Sequence, residues 1–340
     1  MFTINIKKPI LKNPLVFDTY WLFAAKRQNV FFARLSGQKY PWTNDPILSM
    51  YKFTNAYRAS DRVSQYLIKN VIYKGDQSQE EVFFRIILFK IFNKIETWEL
   101  LEKHLGAIRF SEYNFDRYEK ILMNAIQSGR TIYSGAYIMA SGKSFFGYDL
   151  KFKNHLRLIE LLMKNEVPRK ISDMNRMEDV YNLLKSYPSI GSFLAYQYTI
   201  DLNYSNHISF DEMEFVVPGP GALDGISKCF LDKGDYSDSD IIRWVTENQE
   251  LEFSRLGLDF KSLWGRPLQL IDCQNLFCEV DKYSRIAHPE ISGKSKRKRI
   301  KQQYSYNPKK IDYWYPPKWG INSKISNKFV LNEELSGQYC

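Results

Sequence analysis

Read for the spacing of its apolar and polar positions, the chain is mainly α, with apolar residues returning at three- and four-residue steps. Residues 17–35 (FDTYWLFAAKRQNVFFARL) predict an aromatic helix ending at Gly37. A turn-rich entry, Pro41 to Pro46, offers Thr43, Asn44 or Asp45 as an N-cap and Pro46 for the first turn of the next helix. That helix is read over 47–72, where Asn55, Arg58, Arg62 and Gln65 line one face and Tyr51 extends it. Residues 80–105 are apolar around most of the circumference and predict a central core helix. Further helices are expected at 113–128, 155–165 and 177–185, and 131–146 reads as a packed helix or a short hairpin. The turn Tyr187-Pro188-Ser189-Ile190-Gly191 and the apolar helix after it give a helix–hairpin–helix pattern, whose turn amides suit a phosphate. Pro218-Gly219-Pro220-Gly221 precedes a short helix carrying Lys228, and 236–255 reads as a charged helix capped within 237–240.

The stretch 268–285, LQLIDCQNLFCEVDKYSR, departs from the usual pattern. Wound at about 100° per residue, it places Asp272, Asn275, Glu279, Lys282 and Tyr283 on one stripe, with Ile271, Leu276, Phe277 and Val280 flanking it. Apolar residues on both sides of a polar stripe suggest a buried or cleft-lining network, since buried charge is costly unless paired. A solvated face with routine ion pairs is the alternative on the same geometry.

Composition narrows the chemistry. The 340 residues carry 44% hydrophobic and 16% aromatic side chains, which is the stock of a folded protein. A net charge of +10 suits a polyanion such as nucleic acid, and the aromatics suit both core packing and base stacking. No apolar run is long enough to span a bilayer and the N-terminus lacks an apolar signal region, so a cytoplasmic monomer is expected. Cys229, Cys273, Cys278 and Cys340 are not spaced as metal-binding pairs; they read as reduced core cysteines, with neither metal nor cofactor expected. Gly142-Lys143-Ser144 lacks the upstream glycine of a triphosphate-binding loop, because position 137 is Tyr. Residues 294–301 (KSKRKRIK) hold six basic residues in eight and run into YSYNPKKIDYWYPPKW. The organisation read from this is one helical domain over 1–290 and a basic, aromatic arm over 291–340, with Lys296 and Arg297 placed to grip phosphate.

Five segments together resemble a known family: PWTNDPILSMYKFTNAYRASDRVSQYLI, FFRIILFKIFNKIETWE, IDLNYS, FVVPGPGALDGISKCF and LIDCQNLFCEVDKYSR. They are similar to the alpha-glutamyl/putrescinyl-thymine pyrophosphorylases, also described as the helical domain of 5-hydroxymethyluracil DNA kinases. The resemblance implies a fold like that of the helix–hairpin–helix DNA glycosylases and a role with hypermodified pyrimidines in double-stranded phage DNA. Phe193 stands where bifunctional glycosylases carry lysine, so lyase chemistry is disfavoured, and Asp211 falls at the spacing of their aspartate without its sequence context.

On this footing the expectation is a monofunctional DNA glycosylase, acting in anti-phage defence, that flips out and excises a base such as glucosylated 5-hydroxymethylcytosine. Asp272 and Glu279 would stabilise the oxocarbenium-like sugar and activate water, with Asp201 as a further candidate. Asn55, Arg58, Asn275, Lys282 and Tyr283 would hold base and sugar; Gly191, Gly219, Gly221 and Lys228 would meet phosphates. Two alternatives stand beside it: a transferase or pyrophosphorylase modifying 5-hydroxymethyluracil-derived bases in DNA, and a non-catalytic reader of modified DNA.

Overall fold

Helices satisfy most of the backbone polar groups in a computed structural model that describes residues 10–135 and 139–325. Among the described residues the strand content is one antiparallel pairing, Leu11–Lys12 against Phe230–Asp232. Tyr137 and Cys340 lie outside the described residues, as does the end of the expected arm from 326 onward.

The first helix, α1 (Pro14–Leu35), begins on a proline whose missing N–H would have no intrahelical partner in any case. In α2 (Pro46–Met50), the cap is Asp45, whose Oδ1 accepts from the N–H groups of Ile47 and Leu48 at 3.0 Å each. The helix expected to run to Ile72 stops there. Asn55 donates its backbone N–H to Asp61 Oδ1 at 2.7 Å and its side-chain amide to the Ser60 carbonyl at 2.7 Å, which diverts groups an α-ladder would need. After a 3₁₀ turn at Arg58–Ser60, α3 (Arg62–Tyr66) continues as a π-helical turn, Leu67–Ile72. Asn55, Arg58, Arg62 and Gln65 therefore do not share a helix face.

The expected core helix at 80–105 is two, α4 (Gln79–Phe92) and α5 (Ile95–Leu105), broken where Asn93 turns left-handed at φ 47°. The amide oxygen of Asn93 accepts from Lys90 Nζ at 2.9 Å, which holds the break. Next come α6 (Phe115–Gln127), the single turn α7 (Lys143–Phe146), α8 (Lys151–Lys164), α9 (Val167–Ser172), α10 (Met177–Lys185) and α11 (Ser192–Leu202). The chain then forms α12 (Pro220–Cys229), α13 (Asp238–Glu247), α14 (Gln249–Arg255) and α15 (Leu270–Ala287). Asn248 separates α13 from α14, and Ser237 with Asp240 makes a reciprocal capping box at the start of α13.

These elements fall into two units. The first contains α1, α2 and α12 to α15 with the segments up to residue 61 and from 215 to 313; the second contains α3 to α11 and residues 314–320. In the second, α4 is buried on nearly every side, and each charge it carries inward is matched. Glu81 accepts the N–H groups of Phe110 and Ser111, Arg85 donates to the carbonyls of Val71 and Asp76, and Lys90 meets Asp201 at 3.1 Å. Across the turn at 187–191, α10 packs on α11.

In the first unit α15 is central, packed on α12, α1 and α13. Its crossing with α12 depends on glycine: a Cβ at Gly225 would lie 2.1 Å from the Phe277 carbonyl oxygen, and one at Gly221 would lie 3.0 Å from Cys278 Sγ. Gly225→Ala should thus force the helices apart and destabilise the protein by about 1–3 kcal/mol or more. Gly191→Ser, at an N-cap where an added Cβ meets nothing within 4 Å, should stay within about 0.5 kcal/mol of the parent. Urea denaturation of both variants checks the contrast, and equal midpoints would refute the close crossing.

Candidate functional site

The polar stripe of α15 is occupied by the chain's own segment 54–61. Asp272, at the third helical position, accepts the Gln269 N–H at 3.1 Å through Oδ2 and the Arg58 N–H at 2.8 Å through Oδ1. One turn on, Asn275 Nδ2 donates to Thr54 Oγ1 at 3.1 Å; further along, Glu279 Oε2 accepts the Thr54 N–H at 3.0 Å. From α1, Arg27 Nε donates to the Thr54 carbonyl at 2.8 Å. The buried-network reading of the stripe is therefore the observed one, and its partner is an irregular backbone that needs side-chain acceptors because it lacks a ladder of its own.

Where this segment ends, an acid and two guanidinium groups meet. Asp61 retains some surface, yet its carboxyl is packed among protein atoms, and this burial pushes its pKa up to about 7; the Asn55 N–H and Arg27 oppose the rise, nearby Glu279 adds to it, and Arg58 opposes it. Burial lowers Arg27, against the pull of Asp61, Tyr313, Glu279 and Tyr304. Lys282 Nζ lies 2.8 Å from Glu279 Oε2 and 4.7 Å from the centre of the Phe53 ring. Tyr283 donates its hydroxyl to Asp45 Oδ2 at 2.8 Å, an oxygen also met by Lys26 at 2.9 Å. Burial raises the Asp45 carboxyl, but the bonds from Lys26, Leu48 and Tyr283 outweigh it and leave its pKa lowered.

Of the residues singled out from the sequence, Asp272, Glu279, Asn55, Arg58, Asn275, Lys282 and Tyr283 gather in this first unit. Both oxygens of Asp272 serve backbone amides, which makes it a cap and a clamp on 58. Asp201 belongs to the second unit, fully buried against Lys90. Lys228 does not face a phosphate: it is buried and meets Asp281 Oδ1 at 2.9 Å and the Asp281 carbonyl at 3.0 Å. Gly221 is a packing residue against Cys278, while Gly219 and Gly191 cap α12 and α11. Asp211 is exposed and caps the N–H of Met213 at 2.9 Å. Lys296 and Arg297 are exposed on a loop tied down by Ser295, whose N–H donates to Asp224 Oδ1 at 2.7 Å. Burial raises the thiols of Cys273 and Cys278 to about 12, which keeps them protonated and poorly nucleophilic.

Asp61 and Arg27 were missed. A continuous 47–72 helix puts Asp61 on the arc beside the stripe, and nothing in the pattern of α1 marks Arg27 as different from Lys26 or Arg34. The available signal was the alternation of amide, guanidinium and acid in Asn55, Arg58 and Asp61. Among the described residues no group of three His, Cys, Asp or Glu is placed to hold a metal ion, and no helix is long and apolar enough to cross a membrane.

A carboxyl whose pKa burial raises to about 7, beside the Arg27 and Arg58 guanidinium groups, can exchange a proton near neutral pH. The molecule is thus a mainly helical domain with a buried acid–base cluster. The chain belongs to the family of 5-hmdU DNA kinase helical domains, whose model matches residues 14–293. Over 331 residues it is 28% identical to a 5-hmdU DNA kinase of Bacillus phage SP10, covering 92% of this chain and 50% of that protein. The chain therefore spans about half the length of this curated relative. No solved structure matches. The named relative is a kinase, hence a transferase, and this overturns the expectation that the chain is a glycosylase, a hydrolase.

Two measurements follow from the geometry. Lys228→Ala leaves Asp281 with Arg285 as its remaining cation and should destabilise the protein by about 1–3 kcal/mol in denaturant titrations; a lysine serving only as a phosphate contact would show no such loss. Because the folded pKa of Asp61 lies above the unfolded value, its contribution to stability is greatest in acid and declines as pH rises from about 4 to about 7. Asp61→Asn should flatten that decline when unfolding is followed across the interval, and an unchanged pH profile would exclude the raised carboxyl.

Proposed function

We propose that this chain takes part in group transfer at 5-hydroxymethyluracil-derived bases in DNA, with the cluster around Asp61 receiving the modified base. The carrying observation is that the family match over 14–293 contains every member of that cluster, from Arg27 to Lys282. For phosphoryl transfer, the base's hydroxymethyl oxygen attacks the terminal phosphorus of a nucleoside triphosphate. An O–P bond forms, the bond to the leaving diphosphate breaks, and the hydroxyl proton passes to Asp61. Arg27 and Lys282 supply positive charge against the transferring group. The sequence lacks a G-x-x-x-x-G-K-[ST] loop, so the chain's part is read as the acceptor side, binding DNA and activating the hydroxyl.

The test incubates the protein with 5-hydroxymethyluracil DNA or thymine DNA and ATP, then digests the DNA and weighs its nucleosides. Expected are tighter binding of the modified DNA, no abasic sites, and a phosphorylated nucleoside from that DNA once a triphosphate-binding kinase partner is added, formed 10²–10⁴-fold more slowly, to order of magnitude, with Asp61→Asn. No mass change together with equal affinity for the two DNAs would overturn the reading.

A further inference from the structure

The first unit carries four aromatic rings together at its surface, two exposed and two half-buried. Tyr40 and Tyr306 are 44% and 49% exposed, with ring centres 4.8 Å apart. Trp42 lies 5.6 Å from Tyr40 and 5.8 Å from Tyr306, and Tyr304 is near-parallel to Tyr40 at 6.3 Å. Two distant stretches of chain meet to build the group. The Lys52 N–H donates to the Gln302 carbonyl at 3.0 Å and the Tyr304 N–H to the Met50 carbonyl at 2.9 Å, so 302–304 runs beside 50–52. Arg34 braces it from behind: its guanidinium lies 5.3 Å from the Trp42 ring and donates to the carbonyls of Asn307, at 3.3 Å, and Lys309, at 2.8 Å. The Trp42 indole N–H is already given to the Gln38 carbonyl at 2.8 Å, so what the ring offers is its face.

The same segment is the most cationic in the chain. Between 291 and 311 stand eight basic residues and no acidic one, and those from 294 to 299 are exposed. The run does not trail away from the fold. Ser295 is bonded to Asp224 through its N–H and its hydroxyl, and Arg285 Nη1 donates to the Arg299 carbonyl at 3.0 Å.

We propose that Tyr40, Trp42, Tyr304 and Tyr306 form a stacking platform for unpaired bases of single-stranded DNA, whose phosphates follow the tethered basic run at 294–301. The inference builds on the reading that the chain handles DNA, and it adds which strand state is held and where. Stacking asks only for a π-face, which every base has, and the cations answer the backbone; this combination favours a single strand, since duplex bases have their faces already covered. An acidic protein would match the charge without explaining the rings.

The experiment uses the full chain, unmodified oligothymidine and the matching duplex, with affinity read by fluorescence anisotropy over a salt series. Tyr40→Ala/Tyr306→Ala should weaken single-strand binding by about 10–100-fold with the salt slope unchanged. Tyr40→Phe/Tyr306→Phe should keep the parental affinity, which separates stacking from a folding defect. Lys296→Ala/Arg297→Ala should instead lower the slope by about 1.4. Trp42 emission should be quenched by the single strand. Equal single-strand affinity of parent and Ala variant, or a parental preference for the duplex, overturns the platform. Because neither modified base nor ATP is present, these outcomes stand apart from those of the mass assay.

Discussion

Everything in the first unit depends on two carboxylates of α15 being answered by backbone amides instead of by cations alone. Asp272 takes the Arg58 N–H and Glu279 takes the Thr54 N–H, and between them Asn275 holds the Thr54 hydroxyl. Charged acceptors make shorter and stronger bonds than neutral ones, so this ladder fixes a segment with no regular structure of its own. Fixing it sets the position of Asp61, three residues beyond the Asp272 clamp, close to Arg27 and Glu279. The stripe is thus the support on which the Asp61 carboxyl is mounted. Removing Asp272 would loosen 58 first and affect any chemistry only through Asp61.

The glycines of α12 serve that arrangement from the other side. With Phe277 approached so closely at Gly225, α15 cannot shift away from α12 without losing buried contact, and its polar stripe stays turned toward 54–61. Lys228 on α12 and Asp281 on α15 lock the same pair electrostatically. Such a buried ion pair adds little net stability over apolar packing, but it penalises any register in which the two charges fail to meet.

How much of this was legible follows from where local rules hold. The aromatic α1, the amphipathic α6 and α8, the capping box of α13 and the whole of α15 follow from periodicity and caps, because in those stretches neighbours three and four residues apart decide the structure. The break between α2 and α3 is different: Asn55 and Asp61 bond each other's backbone surroundings, and a periodic pattern counts them as ordinary polar positions. Asn93 escaped for a similar reason, as one left-handed residue in an otherwise apolar run. Within the site, the stripe's members were readable and their burden was not. Whether a carboxylate caps, pairs or accepts a proton depends on what comes to it from elsewhere in the chain. Lys228 looked like a phosphate contact because the sequence does not show that Asp281 lies opposite it.

Burial is also what divides the chain's charge into two kinds. Cations that go inside, such as Lys90 and Lys228, are each matched by one acid and are unavailable to a polyanion. Those of 294–299 stay in solvent, where pairing would gain little and where the net charge of +10 becomes a long-range field. That field decays within about 10 Å at 0.1 M salt, so it draws a strand in without choosing a base. Choice of a base has to come from short-range groups with defined geometry; on the proposed reading the rings around Tyr40 would select an unpaired strand and leave the base to the cluster around Asp61. Charge and stacking would hold modified and unmodified strands alike, so on the proposed reading a preference for a hydroxymethylated base has to rest on contacts around Asp61.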